Sequence, residues 1–393
     1  MTKVPYKIAY NTSNENMPPA LSRQLLLRAK DLLFSRQQKT EMAGRGQQLR
    51  QFGQSTSGES QNEAESRAGE DLFTLKAGKE NFNVAIKILP ESIREHLISV
   101  YKYCRYIDDL GDLSDGDRLE NLHQAEAAVK QSLEGKGSNK IIDDAVRTLK
   151  KTNADEENLF NLIKANIQDQ QISRYATFEE LCGYCKLSAD PVGRLVLSVF
   201  GAHNDKTAEY SDKVCTALQI VEHIQDIAED YSAGRVYMPQ EDLKNFRVAE
   251  EMLAGQAKTS GSSAKLFNLG YKKNTSPAIK NELKRLLSFE CGRARSLILE
   301  GSPLVRLLPG FFAKVAVAGF IGGGLAQLNA VEKHNYDVIN SEVKASKAAI
   351  AICSIKVLFK SYLPKTPDTG GAEKNYTSQL EFRPKSSIAR WLR

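Results

Sequence analysis

The 393-residue sequence lacks the marks of several large classes of protein. Stretches that alternate apolar and polar residues between turn dipeptides are scarce, which argues against a sheet-based fold. No apolar run follows Met1, so a secretory signal is not expected. No glycine-rich loop of the dinucleotide-binding type occurs, so a bound nicotinamide cofactor is not expected either.

Cysteine is sparse and has no arrangement typical of disulfides or zinc sites. Cys182 and Cys185 have the spacing of half a zinc site, but no second pair or Cys/His cluster follows them. We therefore expect reduced, buried thiols of the kind found in cytosolic proteins. The six cysteines are Cys104, Cys182, Cys185, Cys215, Cys291 and Cys353.

Hydrophobic runs of transmembrane quality are also missing. The most apolar stretch, 311–328, contains Lys314 and four glycines, and its bulky apolar content is modest for a membrane span. The next stretch, 348–363, is interrupted by Lys356 and Lys360. Neither is predicted to cross a membrane, and a monotopic contact through one of them stays open.

Apolar residues at three- and four-residue steps are abundant between about residues 79 and 340. This pattern predicts an all-α fold. The polar stretch 44–69 has too few large apolar residues to offset the entropy of ordering. We therefore divide the chain into a disordered polar extension at 1–75, a helical catalytic domain at 76–340 and a basic tail at 341–393.

The positive charge is concentrated in the tail. Residues 342–393 contain ten Lys/Arg and four Asp/Glu, a surplus of six that equals the formal charge of the whole chain, +6. A basic tail favours an anionic partner, either a membrane surface or nucleic acid. Apolar residues among the cations, such as Phe359 and Trp391, favour the lipid interface over nucleic acid. A tail that is only solvated is the alternative.

Two acidic clusters far apart in the chain are the best candidates for a functional site. Asp108 and Asp112 are four residues apart, so on a helix they share a face. Glu222, Asp226 and Asp230 repeat this spacing as a stripe of three carboxylates. Like charges stacked in this way destabilise a helix unless a cation lies among them. Two such helices facing each other could hold Mg²⁺ and leave coordination sites open to a phosphate-bearing substrate.

The residues around these clusters resemble the motifs of the squalene/phytoene synthase family. Residues 101–112 (YKYCRYIDDLGD) resemble its first aspartate-rich motif, and 219–239 resemble the second, with its trailing Arg-x-Tyr-x-Pro. Between them, 184–193 (YCKLSADPVG) is similar to the central Tyr-Cys segment. Upstream, 80–85 (ENFNVA) occupies the place of a Ser-Phe motif. Four motifs in the family's order make the match specific.

This resemblance implies an isoprenoid synthase helical fold whose central cavity is lined by two aspartate-rich helices. It also implies Mg²⁺ as the cofactor and a prenyl diphosphate as the substrate. The metal ligands would be Asp108 and Asp112 on one side, and Asp226 and Asp230 on the other.

The resemblance assigns catalytic positions as well. Arg105 would contact diphosphate oxygens, with help from Arg235. Tyr101 and Gln219 match positions that line the cavity, and Glu222 adds a third carboxylate to the second cluster. Ionisation of such a substrate requires that its leaving charge be neutralised and its cation be kept from water.

Departures from the family pattern indicate one branch of it. Glu222 stands where most members have Asn, and neither Lys186 nor Leu187 is the tyrosine that condensing members tend to have in this place. The whole pattern is most similar to the hydroxysqualene synthase branch of bacterial squalene and hopanoid biosynthesis. It implies ionisation of presqualene diphosphate, rearrangement of the cation and capture by water, beside a separate presqualene diphosphate synthase.

Several alternatives stay open from the sequence. The chain could condense two prenyl diphosphates to squalene, dehydrosqualene or phytoene, or it could be a silent isoprenoid-binding scaffold at the membrane. The water-positioning residue has three candidates, His223, Glu222 and Lys186. Asp169 and Arg174 form a surface ion pair or belong to an acidic helix of the family. The predicted location is cytoplasmic, with peripheral contact to the inner face of the cell membrane left open.

Overall fold

The computed structural model describes residues 89–112, 114, 116–254 and 277–363. No β-strand occurs in these ranges, so the predicted all-α class is confirmed. The helices are α1 Glu91–Asp112, α2 Arg118–Leu133, α3 Lys140–Thr152, α4 Glu157–Asp169, α5 Phe178–Ser188, α6 Asp190–Val199, α7 Asp205–Gln225, α8 Ile227–Ser232, α9 Gln240–Asn245, a 3₁₀ helix at Glu250–Leu253, α10 Pro277–Gly301, α11 Leu304–Leu307, α12 Gly310–Lys333 and α13 Lys347–Tyr362.

Some of the sequence predictions lie outside the described residues. They are the polar extension at 1–75, the segment 80–85 and the basic tail beyond residue 363. The chain divides into two compact units, Met1–Ser361 and Tyr362–Arg393. Only two residues of the second unit are described, so the fold reported below is that of the first.

A polar cap sets the N-terminus of α7, the helix that leads to the second acidic cluster. Asn204 caps α7, where its side chain accepts a hydrogen bond from the Thr207 backbone N–H at 3.1 Å. The Asn204 backbone N–H in turn donates to the Thr207 hydroxyl at 3.0 Å. This capping box satisfies two backbone donors that would otherwise lack partners. Helix α7 then runs to the second acidic cluster at its C-terminal end.

The two acidic helices are both built into the core. Helix α7 packs along α10 and α6, and its residues Ile220, Val221 and Ile224 are buried. Helix α1 packs against α2, α3, α4 and α6, and buries Leu97 and Ile107. Burial of one such side chain contributes roughly 1.5–3 kcal/mol. The acidic clusters therefore lie on firmly packed helices.

Helix α12 is the one helix in the described ranges that is long and apolar enough to cross a membrane by length and composition, and 61% of its most apolar window is buried. Its glycines allow close packing. A Cβ at Gly322 would collide with the backbone of Ser354 in α13, and a Cβ at Gly324 would lie 2.6 Å from the Leu218 side chain of α7. Glycine is thus required at position 322 for α12 to approach α13, whereas a side chain at position 324 would have to displace the Leu218 methyl group.

Candidate active site

The two acidic clusters face one cavity of about 220 Å³. It is bordered by α1, α4, α5, α7 and α8, together with the segment that follows α8. Its wall is mostly polar, and Leu162 is the one aliphatic residue among those that line it. Six carboxylates contribute to the wall: Asp108, Asp112, Asp169, Glu222, Asp226 and Asp230.

Most of the site residues predicted from the sequence line this cavity. They are Asp108, Asp112, Gln219, Glu222, Asp226, Asp230 and Arg235. Tyr101 and Arg105 are not part of the lining. The Arg105 guanidinium instead pairs with Asp109, four residues along α1, with 2.7 Å between Nη2 and Oδ1. Asp109 is therefore a partner of Arg105 that the sequence analysis had not assigned, and the contact of Arg105 with a diphosphate stays a prediction.

The first cluster is held by partners from other parts of the chain. Asn166 of α4 donates to Asp108 Oδ1 at 3.1 Å, and Arg235 Nη1 donates to Asp112 Oδ1 at 2.9 Å. Desolvation by the surrounding protein raises the pKa of Asp108 to about 6, although solvent still reaches it through the cavity. The hydrogen bond from Asn166 and the charge of Arg105 oppose this rise of the pKa.

Gly111 explains how Asn166 reaches the first cluster. A Cβ at this position would lie 2.5 Å from the Asn166 side-chain oxygen, so another residue here would displace the Asn166 amide. The Gly111 carbonyl also accepts a hydrogen bond from Gln170 at 3.1 Å. Gly111 thus allows Asn166 to lie against α1, and its carbonyl binds Gln170, which follows the last residue of α4.

The second cluster spans a break between two helices. Helix α7 ends at Gln225 and α8 begins at Ile227, with Asp226 between them at φ −98° and ψ 9°. The Asp226 N–H still donates to the Glu222 carbonyl at 2.9 Å, and the Asp230 N–H to the Asp226 carbonyl at 2.8 Å. The four-residue spacing of the carboxylates therefore survives the break.

The carboxylates of the second cluster lie close to one another. Desolvation by the cavity walls, followed by the charges of Asp230 and Glu229, raises the pKa of Asp226 to about 6. His223 opposes the rise, with 3.8 Å between its Nδ1 and Asp230 Oδ2. Like charges near each other favour a proton or a bound cation.

Two tyrosines fix a sixth carboxylate at the cavity wall. Tyr184 OH donates to Asp169 Oδ2 at 2.6 Å, and Tyr237 OH donates to Asp169 Oδ1 at 2.9 Å. Burial raises the pKa of Asp169, and the two phenols oppose this rise. A surface ion pair between Asp169 and Arg174 is wrong, because Arg174 pairs with Glu250 at 2.9 Å.

His223 is buried in the same wall. Its ring stacks on Tyr237 with 3.8 Å between the centroids and 13° between the planes, and its Nε2 lies 3.4 Å from the Gln219 amide nitrogen. Glu222 also lines the cavity, whereas Lys186 is exposed and lies outside the lining. Two of the three candidates for positioning water thus face the cavity.

The donor set of the cavity suits a hard divalent cation. Carboxylate oxygens are the ligands that Mg²⁺ prefers, and Mg²⁺ usually takes only one or two of them beside waters and substrate phosphates. Within the described ranges, no three Asp, Glu, His or Cys side chains are gathered closely enough to hold an ion alone. Waters and phosphate oxygens would therefore complete the coordination.

The cavity also offers an unused donor for an anion. The Nε atoms of Arg235 and Arg105 are buried and have no hydrogen-bond partner among the described residues. Buried donors without partners are rare in native proteins, and many of them mark a bound ligand or water. Arg235 lines the cavity, so a diphosphate there could accept this hydrogen bond.

Sequence reasoning gave no role to Asn166 and Tyr237, which both line the cavity. For Tyr237 a signal existed, because it is the tyrosine of the Arg-x-Tyr-x-Pro segment. For Asn166 the only signal was its position three residues before Asp169 on one helix.

Comparison with known proteins agrees with this geometry. Residues 75–349 match the family described as squalene/phytoene synthase. A hydroxysqualene synthase of Rhodopseudomonas palustris is 33% identical over 241 residues, which cover 58% of this chain and 73% of that protein. The crystal structure of squalene synthase HpnC from Alicyclobacillus acidocaldarius is 33% identical with a TM-score of 0.57, covering 69% of this chain and 94% of that one. A dehydrosqualene synthase solved with a ligand shares the fold, at 24% identity and a TM-score of 0.62 over 75% and 96% of the two chains.

Proposed function

We propose that this chain, which belongs to the squalene/phytoene synthase family of prenyl diphosphate-using enzymes, converts presqualene diphosphate to hydroxysqualene. The observation that carries the proposal is that both acidic clusters and Arg235 line a single cavity. The similarity to relatives named hydroxysqualene synthase supports the choice of reaction within the family.

The polar cavity is the part of the site that would receive the diphosphate. Its volume of about 220 Å³ is below the roughly 300–1,000 Å³ that encloses a drug-sized ligand. The cavity therefore suits the charged end of the substrate, and the hydrocarbon would extend beyond it. The Arg235 Nε would donate to a diphosphate oxygen while its Nη1 stays bonded to Asp112.

The predicted cofactor is Mg²⁺, and Asp108, Asp112, Asp226 and Asp230 would hold it. When bound, it would neutralise the charge that develops on the departing diphosphate. The four side chains keep their oxygen donors around the cavity before any ligand arrives, so little reorganisation is needed.

The reaction ends when water is captured. The bond between carbon and the diphosphate oxygen breaks with its electron pair on oxygen, and the carbon cation rearranges. A water oxygen then bonds to the cationic carbon and passes one proton to the departed diphosphate or to a basic side chain of the cavity. His223 and Glu222 line the cavity and could accept a hydrogen bond from that water.

Substrate supply and location follow from the same chemistry. We propose that a separate presqualene diphosphate synthase provides the substrate. Substrate and product both carry long hydrocarbon chains, which water solvates poorly. A cytoplasmic enzyme in peripheral contact with the inner face of the cell membrane would receive and release them most readily.

The proposal is tested by offering two substrates separately. Purified protein with Mg²⁺ is given presqualene diphosphate or farnesyl diphosphate, without a nicotinamide cofactor, and the lipid products are analysed by mass spectrometry. We expect hydroxysqualene from presqualene diphosphate and no product from farnesyl diphosphate.

The same assay separates the two alternatives. A C30 product from farnesyl diphosphate would instead identify an enzyme that condenses two prenyl diphosphates. No product from either substrate, nor from geranylgeranyl diphosphate, the C20 substrate of a phytoene-forming enzyme, would favour the silent isoprenoid-binding scaffold. The six carboxylates in one cavity speak against the scaffold, because a protein without ligands at this site gains nothing from like charges held together.

A further inference from the structure

Helix α13 presents an apolar face to solvent. Ile352, Ile355 and Phe359 are 55%, 46% and 66% exposed, and steps of three and four residues place them on one side of the helix. The inward side of the helix is apolar as well, with Ala351 and Val357 buried. A helix on a protein surface normally directs polar residues to solvent. We call Ile352, Ile355 and Phe359, with the neighbouring Lys356 and Lys360, the outer face of α13.

Contacts on the inward side fix this orientation. Gly322 of α12 lets the Ser354 backbone approach closely, and the Arg306 guanidinium donates to the Lys360 carbonyl at 2.9 Å. Helix α13 is therefore held between these two contacts. A rotation that buried the outer face would lose the Gly322 contact and expose Val357.

The charged residues of α13 itself all have one sign. Lys356 and Lys360 are exposed and follow the apolar stripe along one edge. The sequence of α13, KAAIAICSIKVLFKSY, contains three lysines and no acidic residue. Lysine can extend its ammonium group toward an anionic surface while its methylene chain lies along apolar neighbours.

We propose that the outer face of α13 binds the surface of an anionic lipid bilayer. Ile352, Ile355 and Phe359 enter the boundary between headgroups and acyl chains, while the lysines contact lipid phosphates. This is the arrangement of a helix that lies in the plane of a membrane. The outer face of α13 is thus the surface for the membrane contact in the proposed function. Its assignment depends on the geometry of α13 and not on the reaction.

A second copy of the chain fits the outer face less well. In a two-fold dimer the same face of both copies would meet, which would bring Lys356 and Lys360 of one copy near those of the other. Like charges in such an interface cost free energy unless acidic partners are present. Helix α13 provides none.

The test measures binding of the full-length protein to vesicles by flotation, without substrate. Vesicles contain either phosphatidylcholine alone or phosphatidylcholine with 30 mol% phosphatidylglycerol. We expect binding to the anionic vesicles and at least about tenfold weaker binding of an Ile352→Ser/Phe359→Ser variant. Loss of both charges in Lys356→Gln/Lys360→Gln should weaken binding by about fivefold per lysine.

A matched control is Ile172→Ser, because Ile172 is also an exposed isoleucine, at 41%, but lies outside α13. This variant should bind anionic vesicles as the unchanged protein does. Circular dichroism should show unchanged helicity for every variant, since the substituted side chains are exposed.

Two results would overturn the inference. One is unchanged vesicle binding by the Ile352→Ser/Phe359→Ser variant. The other is a change of that variant from dimer to monomer in light scattering without a change in vesicle binding, which would assign the face to a second copy.

Activity on presqualene diphosphate in detergent micelles should be the same for the variant and the unchanged protein. If the proposed reaction is wrong, activity in micelles will be absent. If the docking surface is wrong, the variant will bind vesicles as well as the unchanged protein does.

Discussion

The two acidic clusters line the same cavity but are held in different ways. In the first, Asp108 and Asp112 belong to one continuous helix, and each accepts a hydrogen bond from another part of the chain. In the second, Asp226 lies at a break between helices, and its strongest electrostatic neighbours are the carboxylates of Asp230 and Glu229. The first cluster is positioned by partners, and the second collects negative charge.

This difference indicates a division of roles. A carboxylate that already has an amide or guanidinium partner has lost part of its need for a cation. A carboxylate whose neighbours are other carboxylates gains most from one. We therefore infer that the second cluster contributes more to cation binding and the first more to the orientation of Arg235.

The largest effect is expected from Asp226→Asn. It removes an oxygen anion that lies among other carboxylates and would bind the cation, so turnover of presqualene diphosphate should fall by at least about 100-fold. Asp205→Asn is the matched control, because this exposed aspartate lies at the other end of α7 and does not line the cavity. Full activity of Asp226→Asn would remove the second cluster from the site.

Arg235→Lys tests the contact that joins the clusters. Lysine keeps the charge but lacks the fork that bonds Asp112 through Nη1 and leaves Nε for the substrate. We expect kcat/KM to fall about tenfold or more. Arg194→Lys, whose arginine pairs with Asp212 outside the cavity lining, should be near normal. Equal losses in both variants would mean that the effect is structural.

Tyr237→Phe should have a smaller effect, seen mainly in stability. It leaves Asp169 with the single phenol of Tyr184, so the free energy of unfolding should fall by about 1–3 kcal/mol. Tyr175→Phe is the control. The Tyr175 ring packs against the rings of Tyr184 and Tyr237, but its hydroxyl accepts a hydrogen bond from Gln168 and is not hydrogen-bonded to Asp169. A Tyr175→Phe variant as unstable as Tyr237→Phe would show that ring packing, rather than Asp169, sets the stability.

The smallest effect concerns pH in the absence of metal. The pKa of Asp226 is about 6 in the folded protein and about 3.9 in an unfolded chain. The folded state therefore binds the proton more tightly, and this group contributes stability below about pH 4 that is lost as the pH rises to about 6. Asp226→Asn cannot titrate, so its melting temperature relative to the unchanged protein should be higher at pH 7 than at pH 4. Scanning fluorimetry in a chelator measures this, and an equal difference at both pH values would contradict the assigned pKa.

Periodicity predicted the parts of the fold and the site that depend on local spacing. Apolar residues at helical steps predicted an all-α chain, which the structure confirms. A four-residue step placed Asp108 and Asp112 on one face, and both line the cavity. Such predictions succeed because a helix converts sequence distance directly into direction.

The remaining features depend on contacts that spacing does not encode. Arg235 and Asp112 are 123 residues apart, so only the folded chain brings them together. The helix break at Asp226 could not be predicted, because no glycine or proline lies next to it in the sequence. The pairing of Arg105 with Asp109 could have been foreseen, because opposite charges four residues apart on a helix attract each other.

The most direct test of the account is whether the two clusters bind one diphosphate together. Titration calorimetry with inorganic diphosphate and Mg²⁺ would compare the unchanged protein with Asp108→Asn, Asp226→Asn and the double variant. If both carboxylates serve the same ligand, each single change should weaken binding at least about tenfold, and the double change should cost clearly less than the sum of the two. Strictly additive losses, or unchanged binding in either single variant, would contradict a shared diphosphate site.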